Sequence, residues 1–121
     1  MFSLGAATRI YLAAGATDMR KGFNGLMDLA QGVLDCDPLT GHVFVFCNRA
    51  RNRLKVLYWD GNGLWVCAKR LEGGRYSWPA LEADRVRAEL SHQELTLLLG
   101  GVELERSRQK NWWRTHAKGS A

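Results

Sequence analysis

Val43-Phe-Val-Phe-Cys47, Leu54-Lys-Val-Leu-Tyr-Trp59 and Leu64-Trp-Val-Cys-Ala-Lys-Arg70 are three β-prone runs set close together, the last two joined by Asp60-Gly-Asn-Gly63. Gly and Asn tolerate the left-handed backbone of a tight turn, so that joint predicts an antiparallel hairpin. With Trp59 opposite Leu64 the pairing can be written out. One face gathers His42, Phe44, Phe46, Leu57, Trp59, Leu64 and Val66; the other gathers Val43, Val45, Cys47, Leu54, Val56, Tyr58, Trp65 and Cys67. Both sets are largely apolar, and a sheet of that kind must be covered on both sides.

Outward from this sheet the covering elements are fewer. Arg9-Ile-Tyr-Leu-Ala13 is a short β-prone run ended by Gly15. Thr17 or Asp18 is a candidate helix cap, and Phe23, Leu26, Met27, Ala30, Val33 and Leu34 then recur at three- and four-residue spacing, one apolar helical stripe. Gly22, Gly25 and Gly32 each weaken that helix by about 1 kcal/mol relative to Ala, so packing has to hold it. Asp37-Pro-Leu-Thr-Gly41 is turn chemistry. Downstream, Gly73-Gly74 leads into Arg75-Tyr-Ser-Trp78, read as a fourth short strand stopped by Pro79; residues 80–90 are charged and read as helical. Ser91-His-Gln-Glu94 is a capping box, and Leu95, Leu97, Leu98 and Leu99 carry a helix to Gly100-Gly101.

The expected fold is therefore α+β: a single domain over residues 1–105, built on an antiparallel meander of about four to five short strands, with one N-terminal helix packed on it and a C-terminal helix. The 23–34 helix takes one face of the sheet. The second face requires the C-terminal helix, a second copy of the chain or a different protein. Residues 106–121 form a basic, Trp-containing tail.

A chain of 121 residues, 46% hydrophobic and 24% charged, has the composition of one globular domain. No apolar run approaches the roughly 18 residues of a spanning helix, and the start lacks the charged-then-apolar pattern of a secretory signal. Three widely spaced cysteines suit a reducing compartment. A cytoplasmic protein without membrane association is expected. The net charge of +5 is segregated: residues 1–48 carry −1, 49–75 carry +5, 76–105 carry −4 and 106–121 carry +5. Two basic blocks around an acidic one point to a polyanion partner or to acidic protein surfaces.

Catalytic signatures are absent: there is no Gly-x-Ser-x-Gly elbow, no phosphate-binding Gly-rich loop, no His-Glu-x-x-His and no Cys-x-x-Cys. Cys36, His42 and Cys47 match no zinc-ligand spacing. Neither an enzyme nor a cofactor or metal is expected. Three basic devices remain. Arg20 and Lys21 are placed in the first turn of the first helix, the wrong sign for its dipole unless an anion docks there; the alternative is that they reach into water or pair with Asp18 or Asp28. Arg49, Arg51, Arg53 and Lys55 stand at strict two-residue spacing, which in an extended ribbon makes a comb along a phosphate backbone; the alternative is a solvated hairpin tip that guards the sheet from edge association. In the tail, Arg106, Arg108, Lys110, Arg114 and Lys118 flank Trp112-Trp113, interleaving cations with stacking platforms as single-strand binders do; the same tryptophans can anchor the tail in a partner protein.

Thr17-Asp-Met-Arg-Lys-Gly-Phe-Asn-Gly-Leu26, Gly41-His-Val-Phe-Val-Phe46, Tyr58-Trp-Asp-Gly-Asn-Gly-Leu-Trp65, Lys69-Arg-Leu-Glu-Gly-Gly-Arg75 and Trp78-Pro79 occur in an order and with gaps that resemble the TnpB accessory proteins of insertion sequence sixty-six-type elements. These are bacterial proteins encoded by the second reading frame beside a large DDE transposase, distinct from the RNA-guided nucleases that share the name. The resemblance runs from about Arg9 to the basic tail. It implies a non-catalytic accessory role in DNA transposition and brings no assigned active site with it. Residue chemistry then favours DNA binding through Arg20, Lys21, Arg49, Arg51, Arg53 and Lys55, positioning element ends for the transposase. The alternative is an adaptor that docks on the transposase or another accessory protein through the second apolar sheet face and Trp112-Trp113, without contacting DNA. Self-association is compatible with either.

Overall fold

A computed structural model describes residues 7–78 and 85–100, with the hairpin near one edge of its sheet. The β-prone run forms β1 (Ile10–Ala16), which continues through Gly15 instead of ending there; the apolar stripe forms α1 (Phe23–Gly32), and β2 (Val43–Cys47), β3 (Arg53–Trp59) and β4 (Leu64–Arg70) follow where the sequence places them. β3 and β4 pair antiparallel with Trp59 opposite Leu64, the register expected from the turn. β2 is buried along its whole length and pairs antiparallel with β3. The last elements are β5 (Arg87–Leu90) and α2 (His92–Leu99).

The sheet order is β4-β3-β2-β1-β5, and the sheet is mixed, which corrects the expected antiparallel meander. β1 runs parallel to β2 and antiparallel to β5. The cause lies between β1 and β2: α1 carries the chain back to the end at which β1 began, so β2 repeats its direction, as a helical crossover requires. Two further expectations are corrected. Arg75–Trp78 is not a strand; single bonds tie it down, Tyr76 N–H to Arg51 O in the β2–β3 turn at 2.7 Å and the Trp78 indole N–H to Ala13 O of β1 at 2.8 Å. Part of the stretch read as helical is β5, where Leu90 is buried and Glu89 exposed while Arg87 lies over the Tyr11 ring. Residues 80–84 of that stretch lie outside the described residues, as does the expected domain boundary at residue 105.

The two faces sort as the hairpin register dictates. Beneath α1, Leu26, Ala30 and Leu34 pack on Phe44, Phe46 and Leu57, with Leu64 and Val66 at the margin. α1 begins at Gly22 without a side-chain cap. Thr17 is still tied to the sheet, its N–H donating to Cys47 O at 2.7 Å, and Asp18 closes a turn on the Arg20 N–H at 2.9 Å. Neither caps the helix, and the face it buries is what holds it.

On the opposite face Ile10, Leu12, Val43, Val45, Cys47, Leu54 and Val56 are covered within the chain, by Leu95 and Leu98 of α2 and by Tyr76 and Trp78. The capping box is present: Ser91 Oγ accepts from Glu94 N–H at 3.1 Å and Glu94 Oε1 accepts from Ser91 N–H at 2.7 Å. Burial of each leucine contributes about 2 kcal/mol relative to exposure. At the far end of α2 the ammonium of Lys69 donates to Leu99 O at 2.6 Å, a cation at the negative end of the helix.

Candidate nucleic-acid interface

Strand alternation puts Arg53, Lys55 and Leu57 on the α1 face of β3, and on the same face of β4 it puts Val66, Ala68 and Arg70. The pairing sets Arg53 directly opposite Arg70 and Lys55 opposite Ala68. The result is a shallow hollow of about 270 Å³ lined by Met19, Arg53, Leu54, Lys55, Ala68, Lys69 and Arg70. Its floor includes the small side chain of Ala68, and no acid lines it. Like charges placed opposite each other on paired strands repel. Glu72 relieves part of this, its Oε2 lying 3.2 Å from Arg70 Nε. That pair is exposed and worth little. Arg53 forms no ion pair among the described residues, and the Lys55 ammonium donates to the Lys21 carbonyl oxygen at 2.8 Å, which joins the hollow to the start of α1.

The expected cations divide among different surroundings. Arg20 is committed to an acid: its Nη2 lies 2.7 Å from Asp18 Oδ2, and its Nε is 3.1 Å from both carboxylate oxygens. Those bonds hold the Asp18 carboxyl down at about 2. Arg20 and Lys21 precede α1 instead of occupying its first turn. Arg49 is exposed in the turn between β2 and β3. Arg51 leaves the row. Its backbone is left-handed at φ 61°, and its guanidinium lies 5.4 Å from the centre of the Trp78 ring, on the α2 side of the sheet. The even spacing thus yields no four-tooth comb, because the turn reverses the direction of Arg51. Arg106, Arg108, Lys110, Trp112, Trp113, Arg114 and Lys118 lie outside the described residues.

Arg70 is the member that residue spacing alone missed. A signal was present, since extending the Trp59–Leu64 register by six pairs lands Arg70 on Arg53. Beneath Arg51 sits a second polar group of different character. Burial pushes the Cys47 thiol up, against the pull of Arg51, and burial raises the Tyr76 phenol to about 12. Arg51 Nη1 and the Tyr76 hydroxyl are buried without a hydrogen-bond partner among the described residues. Among the described residues no cluster of three or more His, Cys, Asp or Glu is placed to hold a metal, and no helix is long and apolar enough to cross a membrane.

Comparison with known proteins agrees with the motif resemblance. The family model described as IS66 Orf2 like protein matches residues 8–109. The uncharacterized protein y4hO of Sinorhizobium fredii is 39% identical over 112 residues, covering 93% of this chain and 95% of its own length. The uncharacterized protein y4jC of the same organism is 35% identical over 102 residues, covering 84% and 86% respectively. No solved structure matches the chain.

Proposed function

The chain belongs to the IS66 Orf2-like family of transposition-associated accessory proteins, and from that premise we propose that it grips the DNA backbone in the Arg53–Arg70 hollow, assisting the transposase of its own element. The observation that supports this reading is the placement of Arg53 opposite Arg70 with Lys55 beside them. A phosphate is the ligand that turns this repulsion into attraction. Guanidinium forks take its oxygens two at a time, while the ammonium adds a point charge. The polar side chains of the hollow are donors only, matching the acceptor-only oxygens of a phosphate, and on this reading the hollow positions DNA while the transposase supplies sequence choice.

The test is fluorescence anisotropy of the purified protein with element-end duplex, scrambled duplex and single strand across a salt series. Arg53, Lys55, Arg70 and one further cation give a log–log salt slope of about −3.6 on duplex, and Arg53→Ala with Arg70→Ala flattens it by about 1.8. Equal affinity for both duplexes assigns specificity to the transposase. An unchanged slope removes the hollow from the model, and no binding at low salt leaves the adaptor reading. The adaptor reading has lost one of its two supports, since α2, Tyr76 and Trp78 cover the second sheet face within the chain.

A further inference from the structure

We propose that β4 pairs with β4 of a second copy of this chain, antiparallel and centred on Cys67. Among the described residues β4 is an edge strand of the sheet, bonded to β3 on one side. Edges of natural sheets are usually guarded by charge, proline or a bulge. Here five consecutive residues, Leu64-Trp-Val-Cys-Ala68, are uncharged, and the cations Lys69 and Arg70 stand together at one end. Trp65 is 47% exposed, yet its indole is fixed, the ring N–H donating to Asp60 Oδ2 at 2.8 Å.

The order of residues along β4 selects the occupant. Parallel self-pairing sets Lys69 on Lys69 and Arg70 on Arg70. Antiparallel pairing about Cys67 uses the whole strand and sets no like charges opposite each other. On the α2 side Trp65 faces Lys69 of the second copy, twice by symmetry, flanking the two Cys67 side chains. On the α1 side Val66 faces Ala68, and Leu64 faces the stem of Arg70. Trp opposite Lys is a favourable cross-strand pair, the aliphatic stem of Lys69 lying against an indole whose place is already set while its ammonium stays on Leu99 O. Centring on Cys67 pairs all seven residues of β4, whereas moving the centre two residues toward the C-terminus shortens the pairing and brings Lys69 onto Lys69. The twofold axis stands perpendicular to the sheet, which places both α1 faces, each with its Arg53–Arg70 hollow, on one side of a continuous sheet.

The pairing is independent of the DNA reading and is tested without DNA. Sedimentation across the micromolar range is expected to give twice the chain mass. Residues directly opposite in an antiparallel pair have Cα atoms about 4.5–5.5 Å apart, within reach of a disulfide. Mild oxidation with diamide followed by peptide mass spectrometry is therefore expected to recover Cys67 linked to Cys67. Cys67→Ala abolishes that link without changing the sedimentation, and Trp65→Ala weakens association about tenfold while circular dichroism stays unchanged. A single-chain mass throughout, a dimer whose linked peptides never contain Cys67, or full-strength association of Trp65→Ala each overturns the proposal.

Discussion

At one end of β3 the chain turns through Asn48–Asn52 and at the other through Asp60–Gly63, and in each turn one side-chain oxygen accepts two backbone N–H groups. Asn48 Oδ1 takes those of Asn52 and Arg53, both at 3.1 Å; Asp60 Oδ1 takes those of Asn62 and Gly63 at 3.1 and 3.0 Å. Each turn also contains one residue in the left-handed region, Arg51 at φ 61° and Gly61 at φ 110°. Beyond that the two diverge. The second turn is complete within its own few residues, its one further bond reaching Trp65. The first is finished from a distance: Leu71 N–H donates to Asn52 O at 2.8 Å, Tyr76 N–H to Arg51 O at 2.7 Å, and Trp78 stacks on the Arg51 guanidinium. Glycine enters the left-handed region freely, whereas for arginine it costs about 1 kcal/mol that contacts elsewhere must offset. A turn that uses glycine can stand alone, and a turn that uses arginine leans on the rest of the molecule.

Removing the distant support should cost most. Trp78→Ala is expected to lose about 3 kcal/mol in urea unfolding, because the ring packs on the α2-side core, bonds Ala13 O and holds Arg51. In that background Arg51→Gly should become stabilising, while in the intact protein it gives up the ring contact; equal effects in both backgrounds would show that the turn does not depend on Trp78. Asn48→Ala comes next, at about 2 kcal/mol, since it strips two backbone N–H groups of their acceptor together with the Asn52 side-chain bond. Gly61→Ala follows at about 1 kcal/mol, the cost of forcing a Cβ into the left-handed region with open space around it.

The smallest effect belongs to Asp60, and pH reads it. The Trp65 indole N–H, followed by the turn amides, holds the Asp60 carboxyl below its ordinary value of 3.8. A lowered folded value means that the contribution is complete above 3.8 and is lost as pH falls through the lowered value. The stability gap between the protein and Asp60→Ala should therefore be present at neutral pH and close in strong acid. A gap that persists there would assign it to packing instead of the carboxylate.

The same contrast separates what was legible in the sequence from what was not. Asp60-Gly-Asn-Gly63 contains its own instructions, and from it followed the register, the sorting of the two faces and, by extension, the opposition of Arg53 and Arg70. The Ser91–Glu94 capping box and the α1 stripe are local in the same way. Arg51 could not be placed, because Trp78 stands 27 positions away and nothing near Arg51 announces it. The direction of β1 was equally hidden, since Ile10–Ala13 would suit either sense and the helix that follows decides. For β5 a signal was overlooked: Val86, Ala88 and Leu90 alternate with charged neighbours, a strand period inside a stretch whose charge count read as helix. The basic hollow was half legible, Arg53 and Lys55 by spacing and Arg70 only through the register.

The position of β1 also shapes how the protein is made. β1 is synthesised first, but its outer neighbour β5 emerges 70 residues after β1 ends, and α2 later still. At roughly 5–20 residues per second the nascent chain spends several seconds or more with an open edge on β1 and an uncovered apolar face beneath it. A message that ended after β4 would yield a product with two exposed strand edges and a bare core face, a species for chaperones and proteases to meet. A gene-end truncation is thus predicted to behave as a loss of solubility before it registers as a loss of any binding surface.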